Sequence, residues 1–71
     1  MKKDILKKFG ERVRELRLQN NWSQEELADQ TGFHRTYIGM VERGERNLSL
    51  KNIEIFAKKF GITLSELLNI K

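Results

Sequence analysis

Helix start and stop signals recur along this 71-residue sequence, and they constrain its fold more than any other feature. Ser23–Glu26 and Thr63–Glu66 both match a capping box, in which the first hydroxyl accepts a hydrogen bond from a backbone N–H and the Glu carboxylate accepts one in return. Gly32, Gly44 and Gly61 each follow a stretch with helical spacing, where glycine adopts the left-handed conformation that ends many helices. These signals predict short helices separated by tight turns.

Apolar residues recur at helical intervals and never alternate strictly with polar ones. Two stripes show this spacing: Ile5, Phe9, Val13 and Leu16, and Leu50, Ile53, Ala57 and Phe60. We therefore predict an all-α domain of five helices, over about residues 4–19, 24–31, 35–43, 50–60 and 64–69. Its predicted core is Leu16, Leu27, Ala28, Ile38, Val41, Ile53, Ala57 and Phe60.

Composition removes most kinds of chemistry. The sequence has no cysteine and a single histidine, His34, so Cys-ligated metals, thiol chemistry and sites with two imidazoles are excluded. No nucleophile, base and orienting residue can be assembled around one histidine, and we expect no enzyme activity, metal or cofactor. No apolar run approaches the ~20 residues of a spanning helix and no signal peptide is visible, so we expect a cytoplasmic protein without a membrane partner. At this length we expect residues 1–71 to form one domain.

The distribution of charge is more informative than its sum. Fourteen basic and ten acidic residues give a net charge of +4, which favours an anionic partner such as nucleic acid. Residues 1–17 carry a net charge of +4, residues 18–34 carry −3, and residues 35–59 carry +3. One acidic segment therefore separates two basic ones.

The segment Gln24–Arg43 carries the strongest functional signal. A helix of eight residues ends at Gly32, a three-residue turn follows, and a second short helix begins after His34. Ala28 is small at the middle of the first helix, where a second helix could cross closely, and Ile38 lies on the inner face of the second. This is the pattern of a helix-turn-helix motif.

The residues that carry a family resemblance lie in the two motif helices and their turns: Gln24, Leu27, Ala28, Gly32, Ile38, Val41, Glu42 and Gly44. In this spacing they resemble the DNA-binding domain of phage-repressor-like (Xre-type, lambda-repressor and Cro-like) regulators, over about residues 7–69. His34–Ile38 together with Glu42–Asn47 is similar to the controller proteins of restriction–modification systems. The resemblance implies a compact five-helix lambda-repressor-like domain, with a dimerisation helix at about 64–69, that binds palindromic operators as a homodimer.

Two sets of residues are expected to contact DNA. The base-reading set lies on or beside the outer face of the second motif helix: Arg35, Thr36, Tyr37 and Met40. Arg35 suits a bidentate contact to guanine, whereas the place of Tyr37 rests on the resemblance, and its ring could instead pack on a neighbouring helix. The phosphate-binding set lies at two helix N-termini and in the basic loop between them: Gln24, Arg43, Arg46, Asn47 and Lys51.

Two further predictions concern structure and assembly. The resemblance pairs Arg17 with Glu42 as a structural ion pair, and the alternative is two independent surface charges. Five apolar residues in the C-terminal segment and the fourth helix are not needed for the predicted core, which suggests a homodimer interface. They are Ile55, Leu64, Leu67, Leu68 and Ile70. A monomer could also bury some of these side chains.

The resulting hypothesis is a dimeric, sequence-specific transcription regulator that binds double-stranded operator DNA and needs no small-molecule ligand. Its control would come from its own concentration, through dimer formation. Within the same fold, the alternative is an antitoxin that represses its own operon. An alternative from another class is a helical module that docks on a membrane surface or a protein, which liposome binding without DNA binding would identify.

Overall fold

The computed structural model describes the backbone of residues 2–70 and the side chains of residues 5–70. Its helices are α1 (Lys2–Gln19), α2 (Gln24–Thr31), α3 (Arg35–Glu42), α4 (Leu50–Phe60) and α5 (Leu64–Leu67), and this part of the chain contains no strand. The predicted five-helix fold is confirmed. The two ends of the predicted 1–71 domain, Met1 and Lys71, lie outside the described residues.

Two predicted helices end early. The structure gives α3 one residue fewer than predicted and α5 two fewer. Beyond Leu67 the backbone N–H groups of Asn69 and Ile70 donate to carbonyls only three and two residues back, on Glu66 and Leu68, so the α-helical pattern is lost.

Side-chain caps set the helix starts where the sequence predicted them. The Ser23 hydroxyl accepts from the Glu26 N–H at 3.0 Å, and the Ser23 N–H donates to the Glu26 carboxylate at 2.8 Å. The same two bonds join Thr63 and Glu66 at 3.0 and 2.9 Å. Hydrogen bonds from the Thr63 N–H and then from its hydroxyl lower the pKa of Glu66. His34 makes no side-chain cap bond at the start of α3, so tertiary contacts must fix this end of the helix.

The core draws buried side chains from all five helices: Phe9, Val13, Leu16, Leu27, Ala28, Ile38, Val41, Phe56, Ala57, Phe60 and Leu67. Phe56 is fully buried and its ring lies 5.3 Å from that of Phe33 and 6.4 Å from that of Phe9, measured between centroids. Of the predicted core, only Ile53 lies outside this buried set; it packs against the edge of the cluster. Leu50, predicted in the inner stripe of α4, is 77% exposed, because it is the first residue of the helix and Leu48 packs on the core instead.

A close backbone approach joins α1 to the end of α3. A Cβ atom added at Gly10 would overlap the carbonyl oxygen of Val41 and would lie 2.7 Å from that of Glu42. One turn earlier in α1, the Cα atom of Lys7 lies 2.7 Å from the position of a Cβ at Gly44. The long first helix thus fixes both the end of α3 and the loop after it. None of the helices in residues 2–70 is both long and apolar enough to cross a membrane.

Candidate nucleic-acid interface

Helices α2 and α3 and the turn between them form a helix-turn-helix motif. Gly32 has a φ of +81°, and its N–H donates to the Ala28 carbonyl at 2.8 Å. The hydroxyl of Thr31 donates to the Leu27 carbonyl at 2.8 Å and accepts from the Phe33 N–H at 3.3 Å. Thr31, the polar residue before the turn glycine, therefore connects the turn to the end of α2 by hydrogen bonds.

The outer face of α3 is available to a ligand. Arg35 and Thr36 are exposed in its first turn, and Met40 is half-buried one turn later. Arg43 follows the end of α3 at seven residues from Thr36, so it lies on the same side of the helix. Ile38 is buried on the inner side of α3, whereas none of these residues is buried. Contact of these residues with DNA stays a prediction.

Tyr37 is held in place by three contacts at the flank of this face. Its ring centroid lies 4.9 Å from that of Phe33, and its hydroxyl accepts a hydrogen bond from the Asn52 side chain at 3.0 Å. The guanidinium of Arg46 lies 5.4 Å from the ring centroid, within the range of a cation–π interaction. The ring of Tyr37 therefore does pack against neighbouring side chains, as the alternative interpretation expected. Contact of Tyr37 with DNA stays a prediction.

Arg17 and Glu42 form a buried bidentate pair between α1 and α3. The Arg17 Nε donates to the Glu42 carboxylate at 2.6 Å and Nη2 donates at 3.1 Å. Nη1 donates to the Trp22 carbonyl at 2.8 Å. Sequence reasoning missed a further member, because Gln24 Nε2 also donates to Glu42, at 3.1 Å. This bond leaves Gln24 with one side-chain N–H for a phosphate and links the start of α2 to the buried pair.

Arg43 and Glu45 form a second bidentate pair, at the surface. The Arg43 Nε and Nη2 donate to the two carboxylate oxygens of Glu45, each at 3.1 Å. The hydrogen bond to Glu45 and its negative charge raise the pKa of Arg43, so the pair favours the charged guanidinium. The sequence predicted Arg43 as a free phosphate ligand and gave Glu45 no role. A contact over two residues follows no helical spacing, which is why pattern reasoning did not find it.

The remaining predicted phosphate ligands lie in the basic loop after α3 and at the start of α4. Arg46, Asn47 and Lys51 are exposed, and Ser49 caps α4 by accepting from the Asn52 N–H at 3.1 Å. The exposed N–H groups of such a helix start favour an anion. Phosphate binding by these residues stays a prediction.

The prediction that Leu67 lies in the dimer interface is wrong. Leu67 is fully buried in the core of the single chain, so it cannot reach a partner. Helix α5 is a single turn that starts at the capping box of Thr63, and Leu67 is its residue that faces the core. Ile70 also packs against the core, and Ile55 is half-buried. Leu64 and Leu68 are the exposed members of the set, at 38% and 43%.

These features define a class of protein: a helix-turn-helix DNA-binding domain with an exposed outer face on its second motif helix. The chain belongs to the Helix-turn-helix family, whose model matches residues 13–67. The resemblance inferred from the sequence is therefore confirmed.

Within this family, the chain is similar to controller proteins of restriction–modification systems. The chain is 50% identical over 62 residues to control protein C.BamHI of Bacillus amyloliquefaciens, covering 86% of this chain and 76% of that protein. It is also 50% identical to the restriction–modification controller protein C.AhdI from Aeromonas hydrophila, whose crystal structure matches with a TM-score of 0.83 over 90% of this chain and 96% of that one. The controller protein C.Esp1396I, solved as a tetramer in complex with its natural 35-base-pair operator, is 33% identical with a TM-score of 0.80, over 90% of this chain and 88% of that one.

Proposed function

We propose that this protein is the controller protein of a restriction–modification system: a transcription regulator that binds a double-stranded operator in a sequence-specific way. The observation that carries the proposal is the exposed outer face of α3. Arg35 and Thr36 are exposed in the first turn of this helix, while the inner side of the helix is buried. The similarity to control proteins, one of them solved on its operator, favours this function over an antitoxin. We place the protein in the cytoplasm and assign it a binding role without catalysis.

Base reading is assigned to the first two turns of α3. Arg35 would donate two hydrogen bonds to the O6 and N7 atoms of a guanine, while Thr36 and Met40 offer a methyl or thioether surface to a thymine methyl group. Tyr37 would contribute only the edge that its packing leaves free. The phosphate contacts that set the position of α3 in the groove are assigned to Gln24, Arg46, Asn47 and Lys51.

Replacing Arg35 with alanine should weaken binding to the best operator by about 1–3 kcal/mol and relax base preference at one position. Lys51→Ala is the matched control, because it removes one exposed positive charge from a phosphate-binding position. It should weaken binding to all duplexes alike and reduce the salt dependence. Titration of cognate and random duplexes by fluorescence anisotropy separates the two effects. An Arg35→Ala variant with unchanged base preference would refute its reading role.

We also propose that the protein binds its operator as a homodimer. Leu64 and Leu68 are exposed near the C-terminus, and Leu68 borders an apolar groove of about 210 Å³ that Ile5, Ile53 and Ile70 also line. A two-fold dimer would place its two α3 helices about one turn of DNA apart, ~34 Å, and would require a palindromic operator. Once one subunit binds its half-site, the second subunit binds the other half-site at a high effective concentration, so the dimer binds DNA more tightly than either subunit alone.

Leu68→Asp should convert the dimer to a monomer in analytical ultracentrifugation, because it places a charge in a surface that must lose water on association. Leu18→Asp is the control: Leu18 is comparably exposed at 52%, but it lies about 20 Å along α1 from Ile5, at 1.5 Å per residue. That variant should sediment as the wild type does. A Leu68→Asp protein that stays dimeric would show that the interface lies elsewhere.

A further inference from the structure

The guanidinium of Arg43 lies over Gly39, at the middle of the outer face of α3. A Cβ atom added at Gly39 would come 3.1 Å from Nη1 of Arg43 and 3.8 Å from Oε1 of Gln24. Helical side chains lean toward the N-terminus of their helix, and Arg43 therefore extends back along α3 toward its reading end. Gly39 leaves the space that this position requires and is itself buried beneath the arginine.

The turn after α3 fixes Glu45 in relation to this guanidinium. Gly44 adopts a φ of +74°, and its N–H donates to the Val41 carbonyl at 3.0 Å. The Glu45 N–H donates to the Met40 carbonyl at 2.8 Å. These two bonds form a Schellman motif, which ties the backbone of Glu45 to the last turn of α3. The carboxylate is thus presented from a hydrogen-bonded turn and not from a free loop.

The geometry of the pair leaves one edge of the arginine unused. Glu45 accepts from Nε and Nη2, which occupy the side of the guanidinium. Among the described residues, Nη1 has no hydrogen-bond partner, so its two N–H donors and the second of Nη2, at the end of the group, are left for a ligand. Two parallel donors at that end match the O6 and N7 acceptors of guanine in the major groove.

We propose that Arg43 reads a guanine and that Glu45 is the positioning residue that holds its guanidinium for this contact. This inference rests on the proposed function, and it assigns Arg43 to a base where the sequence assigned it to a phosphate. A carboxylate adds nothing to a phosphate contact, because it repels the phosphate and occupies donors of the arginine. It does help a base contact, since a fixed guanidinium satisfies only one arrangement of acceptors. The pair thereby gains sequence preference at the expense of general affinity for DNA.

The experiment uses a duplex that the wild-type protein selects from random DNA, with each guanine replaced in turn by 7-deazaguanine, which lacks the N7 acceptor. The wild type should lose binding by about fivefold or more at the guanine that Arg43 reads, in addition to the one read by Arg35. Arg43→Ala should be insensitive to the replacement at that guanine and remain sensitive at the other. Circular dichroism checks that each variant is folded.

Glu45→Gln then tests the positioning role. It keeps the shape of the side chain and removes its charge, and exposed Glu54→Gln on α4 is the control for loss of one negative charge near DNA. Glu45→Gln should lower the ratio of cognate to random affinity by about fivefold or more and reduce the 7-deazaguanine effect at the Arg43 guanine, whereas Glu54→Gln should leave both unchanged.

Three results would overturn the assignment. If Glu45→Gln strengthens binding to all duplexes by one common factor, Glu45 only competes with phosphates for Arg43. If Arg43→Ala keeps every 7-deazaguanine effect of the wild type, Arg43 contacts the backbone. In both cases the protein still selects a site, so the proposed function stands. If the wild type selects no duplex at all, the proposed function fails and this inference fails with it.

Discussion

Replacing Glu42 with alanine is expected to lower the free energy of unfolding by about 3–5 kcal/mol, because it leaves the buried Arg17 guanidinium without its counter-charge. The side chains of the pair are only 9% and 4% exposed. The Gln24 amide loses its acceptor as well. A domain of this size has roughly 5 kcal/mol of total stability, so the variant should be largely unfolded at 37 °C. Urea denaturation followed by circular dichroism measures the change.

Glu45→Ala is a matched control, because it breaks the other bidentate Arg–Glu pair within residues 5–70. The Arg43 and Glu45 side chains are 58% and 51% exposed, and water replaces an exposed partner at little cost. The urea midpoint should therefore hardly move. The double variant Arg17→Met, Glu42→Leu should recover most of the stability that Glu42→Ala loses, since it removes both buried charges. If Glu42→Ala is no less stable than Glu45→Ala, the buried pair does not hold α1 to α3.

Gly10→Ala is expected to destabilise the fold by about 3 kcal/mol, at the upper end of the usual cost of overpacking. The added methyl group would overlap the backbone carbonyl of Val41 and approach that of Glu42. Backbone atoms cannot move aside as a side chain can, so α1 and α3 must separate. This cost exceeds the gain of roughly 0.5–1 kcal/mol that alanine brings to a helix interior. Thermal or urea unfolding gives the difference directly.

Gly39→Ala provides the comparison, because it makes the same change in another helix. There the new methyl group meets the tips of two side chains, Nη1 of Arg43 at 3.1 Å and Oε1 of Gln24 at 3.8 Å. The arginine tip can shift by a few tenths of an ångström. The variant should be as stable as the wild type or slightly more stable, through its higher helix propensity. Equal destabilisation by the two substitutions would contradict the close approach of α1 to α3 at Gly10.

Local signals predicted the helices well. The bounds of α2 and α4 were predicted to the residue, because caps at Ser23 and Ser49 and glycines at Gly32 and Gly61 act over a single turn. The inner face of α3 also followed from spacing alone. Such features depend only on neighbours in the sequence, and a single chain is enough to interpret them.

The failures share a different cause. Leu67 was assigned to a dimer surface because a helix of four residues is too short to show which face is apolar. Leu50 was placed in the inner stripe of α4 because its spacing from Ile53 is helical, but as the first residue of the helix it lies beyond the reach of the core. The contacts of Gln24 with Glu42 and of Arg43 with Glu45 depend on how α1, α2 and α3 meet and on one turn conformation. Neither contact has a periodic signature in the sequence.

Stability and recognition are linked in this domain through Glu42 and Gly10. Both residues fix the end of α3, and Glu42 also accepts from Gln24 at the start of α2. The proposed DNA contacts at Gln24, Arg35 and Arg43 depend on that geometry. Substitutions at these two buried positions should weaken DNA binding even though neither side chain reaches the groove.

Selection of bound sites from random duplex DNA by the wild-type protein tests the central claim most directly. We predict enrichment of a palindrome whose half-sites are centred about 10 base pairs apart, or a multiple of one helical turn, since each α3 of a two-fold dimer reads one half. Each half-site should contain the guanine that Arg35 reads. Recovery of unenriched random DNA, with binding that depends only on salt, would contradict the claim that this protein recognises an operator.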